Sequence, residues 1–199
     1  AARAVGPRRA ARLEQRLKEA AAAFEGGRFA EARSILAPLV DQAPSSVALR
    51  GLNGLTLYRL GRWKAAAAEL EAFRELSGST EQHPVLADCY RAQRRWADVD
   101  ELWEELRDAS PSAELVTEGR IVAAGALADR QMLDEALALL GKGFSLPKRP
   151  QVHHLRRAYA LADLHERVGD VPAARALFAR IAAADPDFGD AVERRDALG

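Results

Sequence analysis

Histidines and a single cysteine are the residues in this sequence that could bind a metal or act as nucleophiles. His153 and His154 are adjacent, and adjacent helical residues point about 100° apart, so the pair cannot readily chelate one ion. Cys89 follows Asp88 and lies six residues after His83, a spacing that suits no common zinc site. We therefore predict no metal site, a solvated helix start at the histidine pair, and a small core residue at Cys89.

Two segments could contact phosphate. Residues 141–145 read GKGFS, which lacks the G-x-x-x-x-G-K-[ST] spacing of a phosphate loop, so Gly141 or Gly143 is predicted to end a helix instead. The segment from Lys148 to Arg157 is the densest basic stretch. Because it has no interleaved aromatic residues for base stacking, we favour a solvated loop that enters a helix over nucleic-acid binding.

The composition narrows the class of protein. The 199 residues include 29 basic and 29 acidic side chains, and no apolar run approaches the roughly 20 residues that span a bilayer. A single cysteine excludes an internal disulfide and fits a reducing cytoplasm. The sequence shows no nucleophile elbow and no pair of carboxylates flanking a cleft. We predict a cytoplasmic protein that is not an enzyme and uses no catalytic residue, cofactor or membrane contact.

A repeated segment sets the architecture. Small residues recur at Ala32, Ala66, Val99, Ala136 and Ala174, with spacings of 34, 33, 37 and 38 residues. Apolar residues around them follow a helical period, and strand patterns are nearly absent. Each unit therefore predicts two short helices joined by a turn, and five such pairs fit the chain. Breakers end most units: Pro44, Gly78, Pro111 and Pro186.

The second repeat illustrates how the two helices of a pair approach each other. Glycine at position 61 ends the first helix by accepting a left-handed conformation. Gly54 and Ala66 are small enough to let the helices cross closely. We expect Trp63 to fill the space beside the crossing and Phe73 to pack further along.

The repeated segment resembles the tetratricopeptide repeat (TPR). The resemblance lies in the glycine, the aromatic residue two positions later, the alanine three positions after that, and the closing proline. Repeats one, two and five carry most of these residues, whereas Arg94 and Gln131 stand where repeats three and four usually have glycine. The resemblance covers roughly residues 13–186. It implies an all-α, right-handed solenoid of about five helix pairs whose first helices line a concave groove.

The resemblance also implies where a partner would bind. A groove of this kind commonly holds an extended peptide or a partner helix. Leu17 and Ala21 occupy positions where chaperone-binding members have lysine and asparagine, so that carboxylate clamp is not present. The groove residues expected to bind the partner are Tyr58, Arg59, Asp88, Arg91, Arg156, Tyr159 and Asp163.

The two ends of the chain differ from the repeats. Residues 1–12 are predicted to be a flexible basic arm, and residues 13–199 a single domain with a capping helix at about residues 187–197.

The leading hypothesis is a protein-interaction scaffold with a protein or peptide partner. Two alternatives stay open: a nucleic-acid module using the arm and Lys148–Arg157, or a self-associating structural protein that forms homo-oligomers.

Overall fold

The computed structural model describes residues 7–199, with side chains from residue 10 onward. Eleven α-helices and no strand occur in this range. This confirms the prediction of five helix pairs followed by one terminal helix. The helices are α1 (Pro7–Glu25), α2 (Phe29–Gln42), α3 (Val47–Arg59), α4 (Trp63–Ser77), α5 (His83–Ala92), α6 (Trp96–Ala109), α7 (Ala113–Asp129), α8 (Leu133–Gly141), α9 (Val152–Arg167), α10 (Val171–Ala184) and α11 (Ala191–Ala197).

The five turns between paired helices share one geometry. In each, a residue with positive φ follows the first helix, and the next N–H donates to a carbonyl five residues back, at 2.8–2.9 Å. This is the Schellman arrangement, which satisfies the free carbonyls at a helix end. Glycine occupies the positive-φ position in three turns, but Arg94 (φ +58°) and Gln131 (φ +64°) occupy it in the other two. At these two positions the sequence differs from the repeat pattern, but the backbone conformation of the turn is the same as in the other three turns.

The chain divides into two compact units, with the boundary between Arg95 and Trp96. The boundary falls between α5 and α6, within the third predicted repeat. The prediction of a single domain from residue 13 to 199 stays a prediction.

Unit 1, as described, contains α1 to α5. Each of these helices packs on the next, and α3 also contacts α1 and α5. The backbones of α3 and α4 approach closely, because a Cβ placed on Gly54 would lie 2.6 Å from the Leu70 side chain. Ala66 is fully buried, and Phe73 packs against Gly51 further along, as expected.

Trp63 fills the space beside the crossing of α3 and α4 only in part, since 38 % of it is exposed. Its ring packs edge-on against Tyr58, with centroids 5.3 Å apart. The close contact of Gly54 with Leu70 leaves no space at the crossing for an indole ring.

Unit 2 contains α6 to α11. Helix α7 contacts α6, α8 and α9, and α10 packs between α9 and α11. Its core includes Phe178, Ile181, Leu140 and Leu155. Helix α8 is only nine residues long, and an irregular segment connects Gly141 to α9. This confirms that the glycines end α8 early; the left-handed residue is Gly143, with φ +66°.

Both predicted chain ends require correction. The described part of α1 runs from Pro7, so residues 7–12, predicted to be part of a flexible arm, are helical. Residues 1–6 lie outside the described residues. The terminal helix begins at Ala191 rather than at about residue 187, and Gly189, with φ +58°, lies in the turn before it.

Candidate functional site

Three of the four predicted groove residues of unit 1 form a connected set on α3 and α5. The Tyr58 hydroxyl donates to Asp88 Oδ2 at 2.8 Å. The other oxygen, Asp88 Oδ1, lies 3.5 Å from Arg91 Nη1. All three side chains are half-buried, so each has both a packed part and a part open to solvent. We call Tyr58, Arg59, Asp88 and Arg91 the unit 1 face.

Arg59 joins this face through an aromatic contact. Its guanidinium carbon lies 4.2 Å from the centroid of the Phe29 ring, and Phe29 packs edge-on against Phe24. A cation over an aromatic ring at an exposed site stabilises a protein by about 0.5–1 kcal/mol. The contact therefore fixes the direction of an exposed arginine while leaving it accessible to a partner.

The predicted groove residues of unit 2 lie on α9. Arg156 makes a two-pronged ion pair with Glu118 of α7, in which Nε donates to Oε1 and Nη2 donates to Oε2 at 2.7 Å. Half of the Arg156 side chain is exposed. Paired donors on a planar guanidinium match the two carboxylate oxygens, so this pair connects α9 to α7.

Arg194 was not predicted, yet it connects the other two groove residues. From α11 it donates to Asp163 at 3.1 Å, to Glu166 at 2.6 Å and to the Tyr159 hydroxyl at 3.2 Å. Its guanidinium carbon also lies 4.7 Å from the Phe178 ring centroid. Burial alone would lower the pKa of Arg194, but the hydrogen bonds to Glu166 and Asp163 raise it above its usual value.

Tyr159 lies at the centre of these contacts. Its hydroxyl donates to Asp190 Oδ1 at 2.5 Å, and its ring packs edge-on against Phe178, with centroids 5.4 Å apart. Burial, followed by the hydrogen bond to Asp190, raises the pKa of Tyr159. The tyrosine is therefore neutral at physiological pH and acts as a hydrogen-bond donor. We call Glu118, Arg156, Tyr159, Asp163 and Arg194 the unit 2 face.

A pocket of about 360 Å³ opens on the unit 2 face. It lies between α7, α9 and the turn that leads into α11. Its walls combine apolar side chains with one guanidinium and one phenol. The lining residues are Ile121, Arg156, Tyr159, Ala160, Phe188 and Gly189.

Two of the four Lys and Arg residues in the segment Lys148–Arg157, Arg156 and Arg157, make contacts inside unit 2. Arg157 donates to the carbonyls of Leu140, at 2.6 and 2.9 Å, and of Lys142, at 2.6 Å. Arg120 donates to the Leu139 carbonyl at 3.0 Å. These arginines satisfy carbonyls at the end of α8 that have no partner within the helix. Burial and the nearby Arg120 charge lower the pKa of Arg157.

The two histidines form a helix start, but one of them is not solvated as expected. His153 is only 8 % exposed, and its ring centroid lies 3.9 Å from that of His154. The Gln151 N–H donates to His154 Nδ1 at 3.1 Å. Burial and His153 lower the pKa of His154, although Glu114 opposes the shift.

The other candidate for metal chemistry is also internal. Cys89 is fully buried, as predicted, and burial raises the pKa of its thiol to about 12. Within residues 7–199 no group of three or more His, Cys, Asp or Glu side chains could hold a metal ion. In the same range no helix is both long and apolar enough to cross a membrane.

Comparison with solved structures identifies the fold. A thermophilic TPR protein from Thermus thermophilus matches at a TM-score of 0.70 and 17 % identity, over 94 % of this chain and 98 % of that one. PilF from Pseudomonas aeruginosa matches at 0.66 and 13 % identity, over 94 % and 82 % of the two chains. YrrB, a TPR protein with an unusual peptide-binding site, matches at 0.55 and 15 % identity, over 91 % and 90 %.

No protein-family model matches the sequence, and no curated protein matches it. The structural likenesses, together with the eleven described helices, confirm the predicted fold class: the chain has the all-α, solenoid-type fold of TPR proteins.

Proposed function

We propose that the protein is a non-enzymatic interaction scaffold whose first helices bind a peptide or a helix of another protein. The observation that carries the proposal is the distribution of arginine and tyrosine. In each unit these side chains project from first helices, are held by contacts with a neighbouring helix, and keep part of their surface exposed.

The physical reason is that such residues dominate protein interfaces. Arginine and tyrosine are enriched among the residues that contribute most to binding, because they combine a large contact area with directional hydrogen bonds. Phe29 and Glu118 already hold Arg59 and Arg156 in place, so these two arginine side chains would lose less conformational entropy when a partner binds. A preformed surface of this kind supports a binding function.

The fold supports the same class. YrrB, which shares this fold, has a peptide-binding site. We extend the idea to this chain only as a proposal, in which Tyr58, Arg59, Asp88, Arg91, Arg156, Tyr159 and Asp163 contact the partner.

The nucleic-acid alternative has less support. It depends on the basic N-terminal residues 1–12 and on the segment from Lys148 to Arg157, and in that segment Arg157 is engaged with carbonyls at the end of α8. Lys148 and Arg149 lie in the irregular connection before α9 and are exposed. Self-association is tested by the mass of the purified protein in solution.

The experiment is affinity capture from a lysate of the source organism, followed by mass spectrometry. The double variant Arg59→Ala and Arg91→Ala should lose the partner that the wild-type protein captures. A matched control, Arg107→Ala with Arg175→Ala, removes two exposed arginines from the second helices α6 and α10 and should retain it. If both variants retain the partner, and changing Lys148 and Arg149 removes it, the proposal is wrong.

A further inference from the structure

We propose that the pocket on the unit 2 face receives a branched apolar or aromatic side chain from a partner that carries an arginine or lysine nearby. This inference rests on the proposed function, since it names the chemistry of the partner that binds there. Three features support it: the pocket walls, the charges around it, and an arginine that the chain itself places on this face.

The walls of the pocket suit one apolar side chain. Ile121, Ala160 and Phe188 supply apolar surface, and the Tyr159 ring closes the inner side. A volume of about 360 Å³ is near the lower end of the roughly 300–1,000 Å³ typical of ligand sites. It therefore fits a single large side chain rather than a folded surface.

The charges around the pocket favour a basic partner. Four carboxylates and two guanidinium groups belong to the contacts described above, so the set carries two net negative charges at neutral pH. Asp190 is exposed, and its hydrogen-bond donor is the neutral hydroxyl of Tyr159. These charged residues are Glu118, Asp163, Glu166, Asp190, Arg156 and Arg194.

Arg194 is an example, within this chain, of a guanidinium group bound at the unit 2 face. Its guanidinium lies between two carboxylates and above an aromatic ring, so charge and stacking act together. A basic side chain of a partner would meet one exposed carboxylate, Asp190, next to Tyr159. A partner with an apolar residue next to a basic residue could place the apolar side chain in the pocket and pair the basic side chain with the Asp190 carboxylate.

The test uses the full chain and a library of random short peptides displayed on phage. We expect the selected peptides to share an apolar residue close to an arginine or lysine. Their affinity, measured by fluorescence anisotropy, should fall about tenfold or more for Ala160→Leu, because the added side chain occupies the volume needed for one buried apolar group. The control Ala176→Leu, at an exposed position of α10, should leave affinity unchanged.

A second variant keeps the test decisive if Ala160→Leu fails to fold. Asp190→Asn removes the charge but retains an oxygen that can accept from Tyr159, and it should weaken the basic peptides severalfold. Asp134→Asn, on α8, is its matched control. Weakening by Asp190→Asn should also shrink as salt is added.

The outcomes separate this inference from the proposed function. Peptides that bind but lack the apolar–basic pair, or that are insensitive to both Ala160→Leu and Asp190→Asn, would overturn the pocket inference alone. Peptides lost only with Arg59→Ala and Arg91→Ala would also reject the pocket and would support the unit 1 face. Failure to select any peptide would count against the proposed function and, with it, this inference.

Discussion

Replacing Gln131 with glycine should stabilise the protein, although the change deletes an entire side chain. Gln131 lies at φ +64°, in the turn between α7 and α8, and its side chain is exposed. In this conformation the Cβ approaches the following carbonyl oxygen, which costs about 1–2 kcal/mol for a residue other than glycine. Glycine has no Cβ, so the substitution removes that cost.

The expected net gain is smaller than the strain. Glycine increases the conformational freedom of the unfolded chain, which offsets about 0.4–1 kcal/mol of the benefit. The free energy of unfolding should therefore rise by about 0.5–1 kcal/mol. The backbone bonds of the turn, from Gln131 to Ala128 and from Met132 to Leu127, are unaffected because they involve only main-chain atoms.

The assay is urea-induced unfolding monitored by circular dichroism. The variants are compared by their midpoints, provided that the slope of the free energy of unfolding against urea concentration is unchanged. Gln131→Ala is the matched control, since it removes the same polar atoms but keeps the Cβ, and it should give no gain. The reciprocal change Gly61→Gln, at φ +70°, should lower the free energy of unfolding by about 0.5–1 kcal/mol, since the same two effects act with opposite sign. If Gln131→Gly and Gln131→Ala shift the midpoint equally, backbone strain does not govern this turn.

Three further changes test other parts of the structure. Ala66→Leu should overpack the crossing of α3 and α4 and cost about 1–3 kcal/mol, seen as a lower urea midpoint; an unchanged midpoint would contradict the close packing. The pKa of His154 is lower in the folded protein than in the unfolded chain, so the unfolded chain takes up this proton at a higher pH. The contribution of His154 to the free energy of unfolding should therefore be fully present above about pH 6.5 and decline below it. His154→Gln should reduce that decline, and an identical pH profile would refute the assignment. Arg194→Ala should lower the thermal midpoint, since it leaves Glu166 and Asp163 without their shared cation, and no change would show that the contact contributes little.

Local sequence patterns predicted the helices well because each pattern acts over a few residues. Apolar spacing, small residues at crossings and glycines at turns all operate within one helix pair. The turns at Arg94 and Gln131 form without glycine. At Gln131 the packing of α7 on α8 outweighs a local strain of about 1–2 kcal/mol. The helical propensity of residues 7–12 was missed since the basic charges there show no apolar period.

The candidate site was predicted only in part, because its contacts join residues that are far apart in the sequence. Tyr58 and Asp88 were expected to share a face, and they form a hydrogen bond across 30 residues of sequence. Arg194 was missed because its partners lie 28–35 residues earlier and no local pattern marks the contact. Trp63 was expected to fill the space beside the crossing of α3 and α4, but 38 % of it is exposed.

The central claim is that a partner binds to the first helices. It is tested most directly by photo-crosslinking, using a captured or selected peptide that carries a diazirine group, with mass spectrometry to identify the chain residues that react. Our account predicts crosslinks on α3 and α5 of unit 1, or on α7 and α9 of unit 2, and their loss when unlabelled peptide competes. Crosslinks confined to α4, α8 and α10, or to residues 142–151, would contradict it.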